Sequence, residues 1–429
     1  MAEKVVILPG IVVGIEILIL IFCLFTRSEQ KKIRSITHIG IFLVFTMGVF
    51  TSLISWDFRW YGLGILLLVL ALHGIWTLFA SKQNKDQFKA RTIVVKAAFV
   101  ILLIIVVMIP GVLFPKYERI ATTGDYSTDT VSFTLVDQSR DEFFTVDPDH
   151  RRVEVAFWYP QVKLENELFP LIIFSHCGLG TITSNESLFL ELASHGYVVC
   201  SIGHPFHALW TKDQNGSITW VDKYYFRELQ EEDASTDPQE SYLYYQKWMK
   251  LRTDDINFVL ETIISNSDAR LFEFQIRIDT NRIGIIGHSL GGSAALAMPW
   301  LREDIAVVVA LESPFLFDIV GVENDEFLWL EQEIPVPVLN IYSDSAWKNL
   351  SSWPQYERNV ELLESANETI QNVYLPGAGH FSLSDLSLAS PLLVSLIEGG
   401  KPEIEYRDYL QQVNQLVLEF ADLYLNKDK

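Results

Sequence analysis

The sequence predicts an α/β fold with a mostly parallel sheet, preceded by four helices that cross a membrane. Apolar runs such as IAVVVAL and PVLNIY are continuous rather than alternating, which is typical of strands buried on both faces. Helix-like stretches lie between these runs, and strands that alternate with helices favour a parallel sheet. A change in composition near Phe114 separates the membrane region from the rest.

The N-terminal region contains four apolar runs of bilayer-spanning length, since roughly 20 apolar residues cross a bilayer as a helix. The first run is followed by TRSEQKKIRS and has no small-x-small cleavage site, so we interpret it as a retained helix. We therefore predict a transmembrane region over residues 1–115, with helices at about 5–25, 36–54, 61–80 and 92–114.

Basic residues are concentrated in two loops of this region, one after the first run and one after the third. They are Arg27, Lys31, Lys32 and Arg34, then Lys82, Lys85, Lys89 and Arg91. Basic loops stay in the cytoplasm, so we predict a multi-pass protein of the cell membrane whose N-terminus and C-terminal domain lie outside the cytoplasm. Glu16 lies inside the first run, where a carboxylate is usually functional or paired, and the sequence names no partner for it.

Charge and cysteine content exclude several classes of function. Residues 1–115 hold 11 Lys and Arg and 5 Asp and Glu, a net charge of +6, within a chain of net charge −21. The remainder therefore carries −27, which argues against nucleic-acid binding. Three cysteines argue against a disulfide framework, although a single Cys177–Cys200 bridge stays open. No carboxylate or cysteine completes a metal-ligand spacing with the histidines, so we predict neither metal nor cofactor.

Residues 116–429 are predicted to form the extracytoplasmic α/β domain. We expect short strands at Val131–Val136, Phe143–Val146 and Arg152–Trp158 before the continuous apolar runs begin. The predicted helices are Ser184–Ser194, Pro238–Ile264, Ser289–Leu301, Val360–Ala366 and about Tyr406–Leu425.

An aromatic-rich insertion occupies residues 205–237. Within it, Asn215-Gly216 between LWTKDQ and SITWV is a hairpin signal. The segment is either a lid over a pocket or an ordinary surface excursion whose aromatic side chains pack on the core.

The stretch IGIIGHSLGGSAAL, residues 283–296, places a serine between glycines where an apolar strand ends and a run of small residues begins. This context is typical of a nucleophile elbow, a strained turn that exposes the serine and requires small neighbours. Gly287 and Gly291 are those neighbours around Ser289. The N-terminus of the following helix also favours negative charge. The sequence therefore predicts Ser289 as a nucleophile.

A serine hydroxyl needs a base, and in α/β hydrolases the order along the chain is serine, acid, histidine. His380 is the one histidine after Ser289, so we predict it as the base. Glu312 and Asp344 each lie just past a predicted strand between the two. Either carboxylate could fix the imidazole tautomer, and position alone does not choose between them.

An oxyanion hole needs two backbone N–H donors. Leu290, the residue after the nucleophile, is predicted to supply one. The second is expected from the glycine-rich loop FSHCGLGT, within residues 177–179, and Leu179 is the preferred residue. We expect His176, His204 and His207 to hydrogen-bond the loop backbone rather than perform chemistry.

From about Val131 to Asp385 the sequence resembles the platelet-activating factor acetylhydrolase family of α/β hydrolases, of the plasma and intracellular lipase-like type and its bacterial relatives. The ordered pieces are RRVEVAFWYP, FPLIIFSHCGLG, LASHGYVVCSIGHPFHA, RTDDINFVLE, IGIIGHSLGGSAAL and GAGHFSLSD. The resemblance implies an α/β-hydrolase fold, a Ser/acid/His triad without metal, and hydrolysis of short or oxidised acyl esters, often on phospholipids. The family's acid position corresponds to Glu312, where the family usually has Asp.

The leading hypothesis is a membrane-anchored serine esterase or lipase acting on a lipid or small ester through an acyl-enzyme. A carboxylesterase or acyl-transfer enzyme acting on a soluble or cell-wall ester is a second reading. A catalytically idle membrane sensor or scaffold that keeps a hydrolase shell is a third.

Overall fold

The computed structural model describes residues 2–80, 88–146, 149–161, 167–265, 268, 270, 277–365 and 369–426, with side chains from residue 8 onward. The chain divides into two compact units, Met1–Glu118 with Ala389–Leu393, and Arg119–Leu388 with Val394–Lys429. Of the predicted basic loops, Lys82 and Lys85 lie outside the described residues.

The first unit contains four helices that are long and apolar enough to cross a membrane. They are α1 (Ala2–Thr26), α2 (Lys31–Phe50), α3 (Phe58–Ala80) and α4 (Ala90–Leu113). Helix α2 begins and ends four to five residues before the predicted run. Left-handed backbone at Gln30 (φ 46°) and Ser52 (φ 59°) brackets the helix, and hydropathy does not detect such turns.

Glu16 has partners that the sequence did not name. Its side chain is 1% exposed, and Oε1 lies 2.5 Å from His38 Nε2 of helix α2. Arg34 Nη2 lies 3.5 Å from Oε2. A carboxylate in an apolar helix bundle is expected to be paired in this way.

The second unit is built on an eight-stranded sheet of order β1-β2-β4-β3-β7-β8-β11-β12. Strands β1 and β2 are antiparallel to their neighbours, and the other strands run parallel. Two short hairpins, β5–β6 and β9–β10, lie outside it. The strands are β1 (Thr128–Asp141), β2 (His150–Pro160), β3 (Phe169–Ser175), β4 (Val198–Ile202), β5 (Trp210–Lys212), β6 (Ile218–Trp220), β7 (Ile278–His288), β8 (Ile305–Leu311), β9 (Ile319–Glu323), β10 (Glu326–Trp329), β11 (Val338–Tyr342) and β12 (Ile370–Tyr374).

Helices cover both faces of the sheet. The helices are α5 (Glu186–Ser194), α6 (Lys223–Glu231), α7 (Pro238–Ile264), α8 (Leu290–Leu301), α9 (Asp344–Trp347), α10 (Glu357–Glu364), α11 (Leu386–Ala389), α12 (Pro391–Ile397) and α13 (Tyr406–Leu425). Helices α7 and α8 pack on one face with Ile283 and Ile285. Helices α5 and α13 pack on the other face with Ile286. Alternate strand residues thus enter two separate apolar layers, and the predicted α/β-hydrolase fold is confirmed.

Three predicted features differ from what the structure shows. Phe143–Val146 is not a strand but part of the irregular β1–β2 connection, where Phe143 is 86% exposed and Phe144 stacks on Phe206 at 4.7 Å. No strand of the described residues pairs with this segment, so its apolar composition does not produce a strand. Helix α10 begins three residues before the predicted Val360, and the predicted end, Ala366, lies outside the described residues. Cys177 and Cys200 are free thiols, so the bridge left open by the sequence is absent.

The insertion at residues 205–237 forms the β5–β6 hairpin and helix α6. Gly216 sits in the hairpin turn at φ +86°, as the Asn215-Gly216 signal predicts. Asp222 caps helix α6 by accepting from the N–H groups of Tyr224 and Tyr225. We call residues 205–237 the insertion segment below.

Candidate active site

The predicted site residues lie at the carboxyl edge of the sheet. Ser289 follows β7, Glu312 follows β8 and His380 lies in the loop after β12, while Leu179 is in the loop after β3. Ligands of open α/β sheets bind outside the carboxyl ends of the strands. The parallel strands therefore deliver these side chains to one edge.

Ser289 has the backbone of a nucleophile elbow, with φ 56° and ψ −125°. Its N–H donates to the carbonyl of Leu311 at 2.8 Å, which anchors the turn to the end of β8. A Cβ at Gly287 would overlap the backbone of Gly291, and a Cβ at Gly291 would overlap the carbonyl of Ser175. The two glycines are required because three backbone segments meet there.

Glu312 holds the imidazole of His380. Glu312 Oε1 lies 2.7 Å from His380 Nδ1, with the carboxylate 2% exposed and the ring 24% exposed. The other oxygen accepts from the N–H of Ser343 at 2.6 Å. Burial opposes ionisation of Glu312, but the hydrogen bond and charge of His380 and the Ser343 donor outweigh it and hold the pKa of Glu312 below its usual value. The carboxylate is therefore ionised and oriented.

Asp344, the alternative acid, is engaged elsewhere. Its carboxylate accepts from the hydroxyl of Tyr374 at 2.6 Å and from Lys348 Nζ at 2.9 Å. It lies in the first turn of helix α9, where a negative charge is favoured. The structure thus brings Glu312, and not Asp344, to the His380 ring.

Two carboxylates that sequence reasoning missed hold the loop around His380. Glu398 Oε1 accepts from the N–H groups of Phe381 at 2.8 Å and Ser382 at 3.2 Å. Asp385 accepts from the N–H of Ser187 at 2.6 Å and from its hydroxyl at 2.5 Å. Burial raises the pKa of Asp385 to about 7. The Asp385 contacts tie the histidine loop to helix α5, and the Glu398 contacts tie it to the end of helix α12.

His288 packs behind the base. Its buried ring lies 4.7 Å from the His380 ring, centroid to centroid. Burial, with the charge of His380 acting in the same direction, holds the pKa of His288 well below its usual value. A neutral ring therefore supports His380 without adding charge beside it.

The loop after β3 contains a tight turn, in which the N–H of Gly180 donates to the carbonyl of Cys177 at 3.1 Å. Leu179 is half-buried at position three of this turn. Leu290 is the first residue of helix α8, so its N–H has no acceptor within the helix. The predicted donor Leu290 thus has an N–H that the helix leaves for a ligand, whereas the N–H of the predicted donor Leu179 lies near the sulfur of Cys177. His176 lies against the carbonyls of Cys177 at 2.7 Å and Gly203 at 2.8 Å, as expected.

His204 does not bind the loop backbone as predicted. Its Nδ1 lies 3.0 Å from Asp255 Oδ2, and its Nε2 lies 2.9 Å from the hydroxyl of Ser175. Asp255 also accepts from Arg151 at 2.7 Å. His207 likewise differs, because its ring stacks on Tyr225 at 3.7 Å. The sequence offered no local signal for Asp255, which is 51 residues from His204.

A cavity of about 690 Å³ lies between the β1–β2 connection and helices α6 and α7. Phe144, Tyr224 and Lys247 are among its lining residues, and Ser289, Glu312 and His380 are not. The insertion segment therefore borders a cavity separate from the predicted catalytic residues.

A family model described as platelet-activating factor acetylhydrolase, isoform II, matches residues 152–429. A platelet-activating factor acetylhydrolase of Cavia porcellus is 26% identical over 308 residues, covering 64% of this chain and 61% of that protein. That of Gallus gallus is 23% identical, covering 61% of this chain and 63% of the relative. The chain thus spans about three fifths of the length of these curated relatives.

Among solved structures, a ferulic acid esterase from Streptomyces cinnamoneus is similar to this chain. It has 19% sequence identity and a TM-score of 0.54, and the match covers 72% of this chain and 94% of the esterase. At this identity the similarity shows a common fold.

Proposed function

The chain belongs to the platelet-activating factor acetylhydrolase, isoform II, family, and from this premise we propose that it is a membrane-anchored serine hydrolase of carboxylic esters. The observation that carries the proposal is the buried Glu312 carboxylate bound to His380 Nδ1 at 2.7 Å, at the same carboxyl edge of the sheet as Ser289 on its strained elbow. A nucleophile, a base and a group that orients the base are the parts of this chemistry.

In the proposed mechanism Ser289 Oγ attacks the ester carbonyl while His380 Nε2 takes its proton. The carbonyl electron pair moves to oxygen, and the N–H groups of Leu179 and Leu290 bind the resulting oxyanion. Glu312 keeps the proton on Nδ1 and stabilises the imidazolium. The imidazolium then protonates the leaving alkoxide as the C–O bond breaks. Water, deprotonated by His380, cleaves the acyl-enzyme and restores the hydroxyl of Ser289.

We propose short acyl esters or phospholipid-like acyl groups as substrates. The relatives are named for platelet-activating factor, and the four apolar helices would keep the enzyme at a bilayer, where acylated lipids reside. Esters of soluble or cell-wall compounds are the alternative class.

The decisive experiment uses the full-length protein in detergent micelles. A fluorophosphonate probe should label it covalently, and hydrolysis of an ester series from acetyl to palmitoyl should show the preferred acyl length. Heat-denatured protein is the control for labelling that does not depend on the fold. Absence of both labelling and hydrolysis would contradict the proposal and favour the idle scaffold.

We also propose that the hydrolase unit lies outside the cytoplasm. The basic residues Arg27, Lys31, Lys32 and Arg34 after helix α1 support this orientation, because such loops are retained in the cytoplasm. Protease added to intact cells should digest the hydrolase unit, whereas a cytoplasmic marker protein stays intact. Protection until the cells are lysed would reverse the orientation.

A further inference from the structure

Three consecutive carbonyls in the loop after β3 accept hydrogen bonds from side chains of helices α6 and α7. Arg252 of helix α7 donates through Nη1 to the carbonyl of His176 and through Nη2 to that of Cys177 at 3.2 Å. The hydroxyl of Tyr225, on helix α6 of the insertion segment, donates to the carbonyl of Gly178 at 2.8 Å. The mechanism described above uses neither side chain.

The third carbonyl belongs to the peptide unit that carries the proposed oxyanion donor. A trans peptide is planar, so its C=O and N–H point in opposite directions. The carbonyl of Gly178 and the N–H of Leu179 share one such plane. Because the carbonyl points toward Tyr225, the N–H points away from helix α6.

We propose that Tyr225 is a positioning residue of the oxyanion hole, which orients the Gly178–Leu179 peptide through its hydroxyl. The inference rests on the proposed function and adds a role for the insertion segment in it. The hydroxyl that orients the proposed donor belongs to helix α6 of the insertion segment. Packing of helix α6 on the loop therefore also forms the oxyanion hole.

The surroundings of Tyr225 hold its hydroxyl in one position and keep it protonated. Its side chain is fully buried, and its ring stacks on His207 with centroids 3.7 Å apart and planes at 5°. Helix α6 also reaches the loop through Leu229, whose methyl groups would lie 3.5 Å from a Cβ on Gly178. Burial raises the pKa of Tyr225 to about 12, so the hydroxyl keeps its proton at neutral pH.

The peptide has an alternative orientation that the hydroxyl disfavours. It is the central unit of the Cys177–Gly180 turn, and rotation of that unit interconverts type I and type II turns. The rotated form needs a positive φ at Leu179, which now keeps a negative φ, and a leucine resists that change. Tyr225 therefore adds to an existing preference, and its loss should weaken the hole without abolishing it.

Burial raises the pKa of the Cys177 thiol, and the charge of Arg252 and the nearby Leu179 N–H both act against that effect. Burial has the largest influence of the three. A neutral thiol is a weak acceptor, so a developing oxyanion would compete with it easily for the same N–H.

The test compares full-length Tyr225→Phe with wild type. The phenylalanine keeps the ring and its stacking and removes only the hydroxyl. We expect kcat about tenfold lower, less than the hundred- to thousandfold typical for outright loss of a donor, with KM within about twofold. The affinity of a trifluoromethyl ketone, whose adduct with Ser289 carries an oxyanion, should fall by the same factor as kcat/KM. Tyr224→Phe, which removes the neighbouring exposed hydroxyl, should match wild type.

A double-mutant cycle makes the test sharper. Leu179→Gly keeps the backbone N–H but removes the resistance to positive φ, so Tyr225→Phe should lower kcat more in that background than alone. Additive effects, or an unchanged kcat in Tyr225→Phe, would overturn the inference, as would a raised KM and lower melting temperature with kcat intact. Covalent labelling and hydrolysis by wild type separate that outcome from failure of the proposed function, in which wild type itself is inactive.

Discussion

Among the described residues of the hydrolase unit, a buried serine–histidine–carboxylate set can be compared with the set proposed to be catalytic. Ser175, His204 and Asp255 are linked at 2.9 and 3.0 Å and are all fully buried. The His380 ring, bound to Glu312, is 24% exposed, and it lies at the edge where the elbow presents Ser289. A histidine–carboxylate hydrogen bond therefore holds a loop in one place and lies within the proposed catalytic set in the other. Access and backbone geometry, rather than residue types, separate the two.

The largest expected difference between them is at the serines. Ser289→Ala should abolish hydrolysis and labelling, by roughly a millionfold in turnover, because such residues act as a unit. Ser175→Ala should keep labelling and lose less than about tenfold, since its hydroxyl only helps to hold the loop. Turnover and probe labelling of both variants make the comparison. More than a tenth of wild-type activity in Ser289→Ala would remove it as the nucleophile.

The second largest effect is expected at Glu312, the carboxylate bound to the partly exposed ring of His380. Glu312→Gln should lower turnover by about ten-thousandfold, as loss of the tautomer-fixing acid does in serine proteases. Asp344→Asn, the matched control, should change it by less than about tenfold. Circular dichroism checks that both variants fold. A crippled Asp344→Asn beside a nearly normal Glu312→Gln would assign the acid to the later strand.

Asp255, the carboxylate of the buried set, should affect the free energy of unfolding rather than the turnover. Asp255→Asn removes the closer of the two carboxylates that pair with Arg151, which is 3% exposed, and leaves it only Glu142 as a charge partner. Breaking a buried ion pair typically lowers the free energy of unfolding by about 3–5 kcal/mol. Urea unfolding of wild type and Asp255→Asn measures this effect. A change below about 1 kcal/mol would mean that Glu142 and the carbonyl of Pro205, which also bind Arg151, are sufficient partners.

Acid should destabilise the folded protein through its buried histidines, and this is the smallest of the expected effects. Burial, then the charges of Arg252 and Arg151, hold the pKa of His207 well below its usual value. The unfolded chain takes up that proton first as the pH falls below about 6.5, so stability is lost on acidification.

Between about pH 6.5 and 5, one such group contributes roughly 2 kcal/mol of this loss. His207→Phe keeps an aromatic ring on Tyr225 and removes the titrating group, so its urea midpoint should fall less over this range. Equal pH slopes in wild type and variant would show that His207 is protonated in the folded protein.

The sequence predicted the parts of the molecule whose signals are local. Helices Pro238–Ile264 and Tyr406–Leu425 have the predicted bounds, and the glycines around Ser289 indicate the sharp turn before helix α8. Position along the chain could not separate Glu312 from Asp344, because both follow neighbouring parallel strands, and only the family resemblance favoured Glu312. Their difference lies in backbone direction, since Glu312 has a φ of 50° that turns its side chain to His380.

Partners that are distant along the chain gave no signal at all. Arg252 and Tyr225 contact the loop after β3 from 75 and 47 residues away. Periodicity and motif spacing describe neighbours in sequence, and they do not specify which helix face meets a loop of another element. The buried arrangement around Asp255 escaped prediction for the same reason.

The contact between Ser187 and Asp385 joins residues 198 positions apart, and it has a consequence for biosynthesis. A ribosome adds about 5–20 residues per second, so the start of helix α5 waits roughly 10–40 seconds for the carboxylate that completes it. During that interval strands β3 and β4 exist without β7 and its successors, and their apolar faces lack their final cover. Completion of this unit is therefore expected only after the later strands and Asp385 have been synthesised.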